Sequence, residues 1–271
     1  MRLAPILLIL LLALPGLSQR AHHKCEVEAI KRSDGCDIYV SNRYGVEITV
    51  TIDAELENMR PSEPLPFTVT VPGRKRVMVM SLEQDDPSLS WRYNYKTHWC
   101  WGSTGVVHDD TVVYRLPYAS GEAFPVLQGY DGRFSHSGDN ACALDFSMPD
   151  GTPVHAARDG VVVDTEDGYK LGGHDRRLGG NYVLVRHSDG TIAEYFHLNP
   201  GGVAVRVGQV VQAGDLLGYS GHTGFADGPH LHFMVFRAVN GHHRESFPTR
   251  FAVDGESEPV QLLEGRAYRC P

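Results

Sequence analysis

The stretch "GPHLHFMVF", residues 228–236, places two histidines one residue apart at the start of an apolar run. In a β-strand, side chains two residues apart point to the same face. His230 and His232 therefore share one face, while Leu231 and Phe233 take the other, core-facing side. Two imidazoles on the non-core face are costly to bury without partners, and a metal ion or a polarised water would satisfy them. The stretch predicts a strand whose paired histidines contribute to a metal-binding or catalytic site.

The composition of the chain limits the functions that it can have. Its 271 residues are enough for two modest domains, and 42% of them are hydrophobic. The formal net charge is −8 and the sequence pI is about 5.9. An acidic balance argues against nucleic acid or an anionic membrane as the main partner.

The N-terminal segment reads "MRLAPILLILLLALPGLSQR" and has the pattern of a secretory signal peptide. Arg2 precedes a short apolar run, and the small residues Gly16 and Ser18 follow it. We expect cleavage after Ser18, no membrane anchor afterwards, and a periplasmic or secreted bacterial protein. Export places the five cysteines in an oxidising compartment. Cys25 with Cys36 is a plausible short loop closure, although the pairing stays open.

Frequent turn residues separate segments rich in Val, Tyr, Thr and Phe, which predicts an all-β protein. Residues 19–120 contain six strand-like segments, the last of them "TVVYRLPY", and are expected to form a small β-sandwich. Residues 121–250 read as a second, antiparallel domain, which the linker-like segment 119–132 introduces. A polar, glycine-rich loop at 167–181 is expected on the rim of a groove, and residues 251–271 form a weakly patterned tail.

Three further polar residues complete a candidate site. In "ACALDF", Asp145 points away from the apolar side of its strand, and His136 lies in the loop "FSHSGDN" that leads into it. In "AEYFHL", His197 is expected on the same face as Tyr195. A catalytic zinc takes three protein ligands and keeps one position open. His136, Asp145 and one histidine of the "HLH" pair would supply two nitrogens and a carboxylate oxygen.

Four motifs in order resemble the lysostaphin-like (LytM-type) zinc metalloendopeptidases: a histidine followed by "ALDFSMPDGTPVHAARDGVVV", then "YFHL", then "GHTGFADGPHLHFMV". The resemblance covers roughly residues 130–240. It implies an antiparallel β-sheet groove of the duplicated hybrid-motif kind. It also implies a zinc endopeptidase that hydrolyses peptide cross-links of bacterial peptidoglycan, with the peptide stems as its partners.

Carried over by motif, the resemblance makes His136, Asp145 and His232 the Zn²⁺ ligands, with His197 and His230 as catalytic histidines. Many family members place the first histidine and the aspartate four positions apart, whereas here nine positions separate them. The rival ligands are three other histidines: His155, His187 and His222. Of these, His187 is expected to be exposed because it ends a strand beside a turn.

Other functions remain open from the sequence. A module of this fold could bind the cell wall or activate another hydrolase without catalysis, or a zinc protease could cut glycine-rich secreted proteins. The segment "VRVGQVVQAGDLLGYSG" also resembles lipoyl and biotinyl carrier domains, but such carriers need a modified lysine. No lysine follows Lys170, which argues against that function.

Overall fold

The computed structural model describes residues 24–271, and the predicted signal peptide at 1–18 lies outside this range. The described residues form β-strands and one short 3-10 helix, Gly138–Asn140, so the all-β prediction is confirmed. In this part of the chain, no helix has the length and apolar character needed to cross a bilayer.

Two antiparallel sheets form an N-terminal sandwich. A four-stranded sheet has the order β1-β2-β6-β4, and a three-stranded sheet has the order β5-β3-β7. Both enclose one apolar cluster that includes Ile38, Ile52 and Leu82. The strands are β1 Cys25–Arg32, β2 Gly35–Asn42, β3 Ile48–Glu57, β4 Met59–Pro61, β5 Phe67–Val71, β6 Lys75–Gln84 and β7 Arg92–Trp101.

A larger sheet of eleven strands follows, and its main path runs β16-β12-β14-β15-β19-β10-β9-β22. Its members, with two short parallel pairs beside it, are β8 Val113–Arg115, β9 Ala123–Gln128, β10 Leu144–Phe146, β11 Pro153–His155, β12 Gly160–Glu166, β13 Gly172–Gly173, β14 Asn181–Arg186, β15 Ile192–Val203, β16 Val210–Val211, β17 Leu216–Ser220, β18 Gly224–Phe225, β19 Leu231–Ala238, β20 Arg244–Phe247, β21 Arg250–Ala252 and β22 Ala267–Arg269.

Two segments differ from the sequence-based expectation. The linker-like segment contains β9, which pairs with both β10 and β22 inside the large sheet. "TVVYRLPY" does contain a strand, β8, but β8 pairs with β21 rather than with the sandwich. Tyr114 in β8 is fully buried in the core of the larger sheet. Local pattern predicts that a segment is extended, whereas its partner strand depends on distant residues.

The suggested pairing of Cys25 with Cys36 is wrong for this fold. Along the β1–β2 hairpin, Cys36 lies opposite Lys31, while Cys25 lies opposite Asn42 at the other end. Six residues along a strand span about 20 Å. A disulfide needs α-carbons within roughly 7 Å, so these two cysteines cannot be joined here.

The strand β19 is apolar on both faces at its C-terminal end. Phe233 lies in the main core, whereas Met234 and Phe236 lie in a second cluster on the opposite face. Cys100 and Trp101 of the sandwich pack against that second cluster. The sandwich therefore covers one end of the sheet face that carries the paired histidines, and the other end stays open.

Candidate metal centre

Strand register brings the predicted site residues to one place on the large sheet. Asp145 of β10 lies directly opposite His232 of β19, and on the other side of β19 His232 lies opposite Phe196 of β15. The 3-10 turn at Gly138–Asn140 accommodates the long spacing between His136 and Asp145. It lets the loop fold back so that the side chain of His136 returns to the start of β10.

His136, Asp145 and His232 are all buried, and each offers one ligand atom within 4.8 Å of the others. The Nδ1 atom of His232 lies 2.9 Å from Oδ1 of Asp145. The Nε2 atom of His136 lies 3.2 Å from the same oxygen. Two imidazole nitrogens and one carboxylate oxygen form the donor set of a three-ligand zinc site. Among the described residues, no other group of histidine, cysteine and acidic side chains meets this geometry.

The hydrogen bonds of His136 show that this cluster needs a positive charge. Its Nδ1 lies 2.8 Å from the carbonyl oxygen of Gly129, which can only accept, so Nδ1 carries the proton. In a neutral ring, Nε2 then turns a lone pair towards the carboxylate of Asp145, and this buried nitrogen has no hydrogen-bond partner. A proton or a metal ion between the two acceptors removes the repulsion. The residues therefore fit a cation.

Charges in the cluster shift its pKa values in directions that agree with this geometry. Burial by itself would raise the pKa of the Asp145 carboxyl, but the adjacent His136 and His232 rings outweigh burial and hold that pKa far below its usual range. Burial also opposes charging of His136, yet the Asp145 carboxylate raises the pKa of its ring. The carboxylate is thus ionised and available as a ligand.

Gln128, at the end of β9, supports the second oxygen of Asp145. Its Nε2 donates to Oδ2 of Asp145 at 3.4 Å and to the hydroxyl of Ser135 at 2.8 Å. Its Oε1 accepts from the backbone N–H groups of Phe134 at 3.0 Å and Ser135 at 3.3 Å. One buried amide therefore fixes both the aspartate and the loop that carries His136.

A β-bulge turns His197 towards the centre. Opposite β14, Phe196 pairs with Tyr182 and Leu198 with Asn181, so that His197 is the extra residue. Its φ is +67°, a left-handed value that is uncommon outside glycine and is concentrated at functional sites. His197 therefore does not follow Tyr195, which is fully buried and accepts a hydrogen bond from Ala157. The expected shared face is wrong because the bulge breaks the alternation.

His197 and His230 stand beside the three-residue cluster with their rings 4.5 Å apart between centroids. The Nδ1 of His197 donates to the carbonyl oxygen of Thr223 at 2.7 Å, and the Nδ1 of His230 donates to that of Gly228 at 2.9 Å. Both rings thus present Nε2 to the groove. The Nε2 of His230 lies 4.0 Å from Oδ1 of Asp145.

The environment of His197 keeps its ring neutral. Burial, together with the neighbouring His230 and His232 rings, lowers the pKa of His197 to about 3. A neutral ring whose Nδ1 proton is held by a carbonyl has a free lone pair on Nε2. Such a nitrogen can accept a proton from a water molecule in the groove.

The three rival histidines lie outside this cluster. His222 is exposed and pairs with Asp150 at 3.0 Å, and His155 ends β11, half-buried. The expectation that His187 is exposed is wrong, because His187 is 1% exposed and packs edge-on against Tyr114. The turn beside His187 is covered by β8, a contact that local sequence does not reveal.

Sequence reasoning missed several residues that hold the site. Gln128 was hidden in a segment predicted to be a linker. Thr223 lies in the quoted "GHTG" motif, and its hydroxyl donates to Leu198 at 2.7 Å and accepts from the N–H of Asn181 at 2.9 Å. The position of Thr223 within a quoted motif could have indicated its role. Nothing in the sequence marked Gln128, because a glutamine is common in a polar segment.

Two cavities meet at the cluster and share Ser135, His197, Phe225 and His232. One, of about 410 Å³, has an apolar wall that includes Leu127, Phe134 and Pro229. The other, of about 190 Å³, is lined by polar and charged side chains, namely Asn140, Arg176, Glu194 and Arg244. The site is thus the middle of a groove with an apolar arm and a charged arm.

An all-β sheet with a His–Asp–His cluster, flanked by two further histidines at the centre of a groove, defines a candidate metal-dependent hydrolytic site. Comparison with known families agrees with this class: residues 140–245 match the model of Peptidase family M23. This part of the chain belongs to peptidase family M23, which confirms the resemblance that the motifs indicated. The match includes Asp145, His197, His230 and His232 and begins shortly after His136.

Several proteins named as endopeptidases are similar to this chain. The peptidoglycan DD-endopeptidase ShyA of Vibrio cholerae serotype O1 is 42% identical over 99 residues, which cover 35% of this chain and 21% of ShyA. The glycyl-glycine endopeptidase ALE-1 of Staphylococcus capitis is 34% identical over 195 residues, which cover 72% of this chain and 41% of ALE-1. The chain thus spans about a fifth to two fifths of these relatives' lengths.

Among solved structures, the catalytic domain of the antimicrobial peptidase lysostaphin from Staphylococcus simulans is similar at 27% identity. The match covers 46% of this chain and 87% of that domain, with a TM-score of 0.33.

Proposed function

We propose that this protein is a zinc-dependent endopeptidase that hydrolyses peptide cross-links of bacterial peptidoglycan. The observation that carries the proposal is the buried trio His136, Asp145 and His232, with ligand atoms within 4.8 Å of one another. Membership of residues 140–245 in a peptidase family supports the reaction class. The name of ShyA, a peptidoglycan DD-endopeptidase, supports a cell-wall peptide as substrate, and the name of ALE-1 supports endopeptidase activity.

In this proposal His136 binds the metal through Nε2, His232 through Nδ1, and Asp145 through its carboxylate. When bound, a zinc ion supplies Lewis acidity that polarises a carbonyl oxygen and acidifies water. His197 accepts the proton of the attacking water at its Nε2, since its ring is neutral. His230 places its Nε2 beside the reacting carbonyl; because its Nδ1 proton is held by Gly228, this Nε2 donates to the developing oxyanion once the ring has taken up a second proton.

The proposal extends to the organisation and location of the protein. Residues 1–18 would act as a signal peptide and direct the protein to the periplasm or the medium. From the sequence we expect an accessory domain at residues 19–120, a catalytic domain at 121–250 and a tail at 251–271. Separate apolar clusters in the sandwich and in the large sheet support two domains. The cluster of the large sheet also contains Tyr114, Phe251 and Cys270, so the catalytic domain begins before residue 121 and includes the segment expected to be a tail.

The test is to purify the chain without residues 1–18, to measure its zinc content, and to follow peptide release from isolated peptidoglycan. We expect one zinc per chain and activity that a chelator removes. His232→Ala should lose zinc, whereas His230→Ala should keep it and lose activity. His222→Ala, whose exposed ring lies outside the cluster, is the matched control and should keep both.

The alternatives give different results in the same experiment. Stoichiometric zinc without turnover of any peptidoglycan would identify a wall-binding or hydrolase-activating module of the same fold. Faster cleavage of a glycine-rich protein than of peptidoglycan would identify a protease of secreted proteins. Absence of bound zinc in the unmodified chain would refute the proposed mechanism.

A further inference from the structure

The charged arm of the groove contains two arginines whose surroundings differ. Arg176 and Arg244 line the same cavity of about 190 Å³ as His197 and His232. The guanidinium of Arg244 donates through its two terminal nitrogens to Glu194 at 2.7 Å and to Asn140 at 2.9 Å. The charge of Arg244 is thus neutralised within the protein.

Arg176 has no such partner. Its neighbour Arg177 forms an ion pair with Asp175 at 2.7 Å, and His174 pairs with Asp227 at 3.0 Å. Within residues 24–271, no salt bridge or side-chain hydrogen bond engages the guanidinium of Arg176. The charged arm therefore holds one surplus positive charge next to the metal centre.

The exposed side chain of Arg176 lies against the ring of Phe225. The Cζ atom of Arg176 lies 4.5 Å from the centroid of the Phe225 ring. Phe225 also stacks on Phe134, with centroids 5.8 Å apart and planes inclined by 6°. A guanidinium resting on an aromatic face keeps its N–H donors free in its own plane, where they match the two oxygens of a carboxylate.

We propose that Arg176 determines substrate specificity by binding a free carboxylate on a residue that flanks the scissile amide. This proposal rests on the proposed peptidase function. The substrate class is then an anionic peptide cross-link rather than an uncharged glycine bridge. The carboxylate forms charge-assisted hydrogen bonds with Arg176, while apolar side chains of the substrate lie along Leu127 and Phe134 in the other arm.

Two labelled peptides test this assignment. Both end in D-alanyl-D-alanine, and one carries a free C-terminal carboxylate where the other carries a carboxamide. Binding is measured by fluorescence polarisation in the His230→Ala background, which prevents turnover, with and without Arg176→Gln. The control is Arg177→Gln, because Arg177 is adjacent, exposed and paired with Asp175. Thermal unfolding verifies that each variant is folded.

We expect the carboxylate peptide to bind more tightly than the carboxamide, and Arg176→Gln to weaken only the carboxylate peptide, by about tenfold. Arg177→Gln should change neither affinity. Equal affinities for both peptides, or equal losses on Arg176→Gln, would overturn the assignment. Carboxylate-selective binding without turnover in the unmodified chain would refute the peptidase function alone, and turnover without selectivity would refute the role of Arg176 alone.

Discussion

Replacing Gln128 by alanine should weaken metal binding although Gln128 is not a proposed ligand. The change removes the hydrogen bond to Oδ2 of Asp145 and the two bonds that Oε1 accepts from Phe134 and Ser135. Residues that orient metal ligands typically contribute 10–100-fold to metal affinity. The bond to Asp145 is long, at 3.4 Å, so we expect a loss near the lower limit, about tenfold or 1.4 kcal/mol.

The same substitution should also lower the stability of the fold. Gln128 is 8% exposed, and its loss leaves two backbone N–H groups of the following loop without their acceptor. Each unsatisfied buried group costs about 1–3 kcal/mol, and water entering from the groove reduces the cost. We therefore expect a decrease of about 1–2 kcal/mol in the free energy of unfolding.

Zinc affinity is measured by competition with a chromophoric chelator, and stability by urea unfolding of the metal-free protein. The control is Gln209→Ala, which removes an exposed turn contact with Arg206. An unchanged zinc affinity in a folded Gln128→Ala protein would show that the Asp145 carboxylate does not depend on this amide. Gln128 would then have no role in orienting the metal ligand.

Three further outcomes follow from the structure. Removing zinc with a chelator should lower the free energy of unfolding of the unmodified chain by about 2.7 kcal/mol, if the free zinc concentration before chelation is 100-fold above the dissociation constant. The chelator should not change the unfolding free energy of the Asp145→Asn chain, and calorimetry measures both values. Gly241→Ala should destabilise the chain in urea by about 1–3 kcal/mol, because a Cβ would lie 2.2 Å from the His98 carbonyl oxygen and 2.5 Å from the Thr51 nitrogen. Burial lowers the pKa of His187 to about 3 in the folded chain. As pH falls below about 6.5, the imidazole of His187 is therefore protonated in the unfolded chain before it is protonated in the folded chain. The free energy of unfolding then decreases by up to about 1.4 kcal/mol per pH unit. His187→Asn should lose that part of the pH dependence, and an unchanged slope would contradict it.

The sequence by itself determined the direction of side chains within each strand. The two-residue period of "HLHF" put His230 and His232 on one face, and that of "ALDF" turned Asp145 away from the apolar side, because alternation is a property of the extended backbone. The motifs also determined the family. These are local features, and each needs only a few neighbouring residues.

The tertiary structure decided which of these residues meet. Asp145 and His232 are 87 positions apart and become neighbours only through the register between β10 and β19. The bulge that turns His197, the support from Gln128 and the placement of Arg176 on Phe225 likewise depend on strand pairing and loop packing. Pairing energies are summed over whole strands and their buried faces, so no short stretch of sequence contains them.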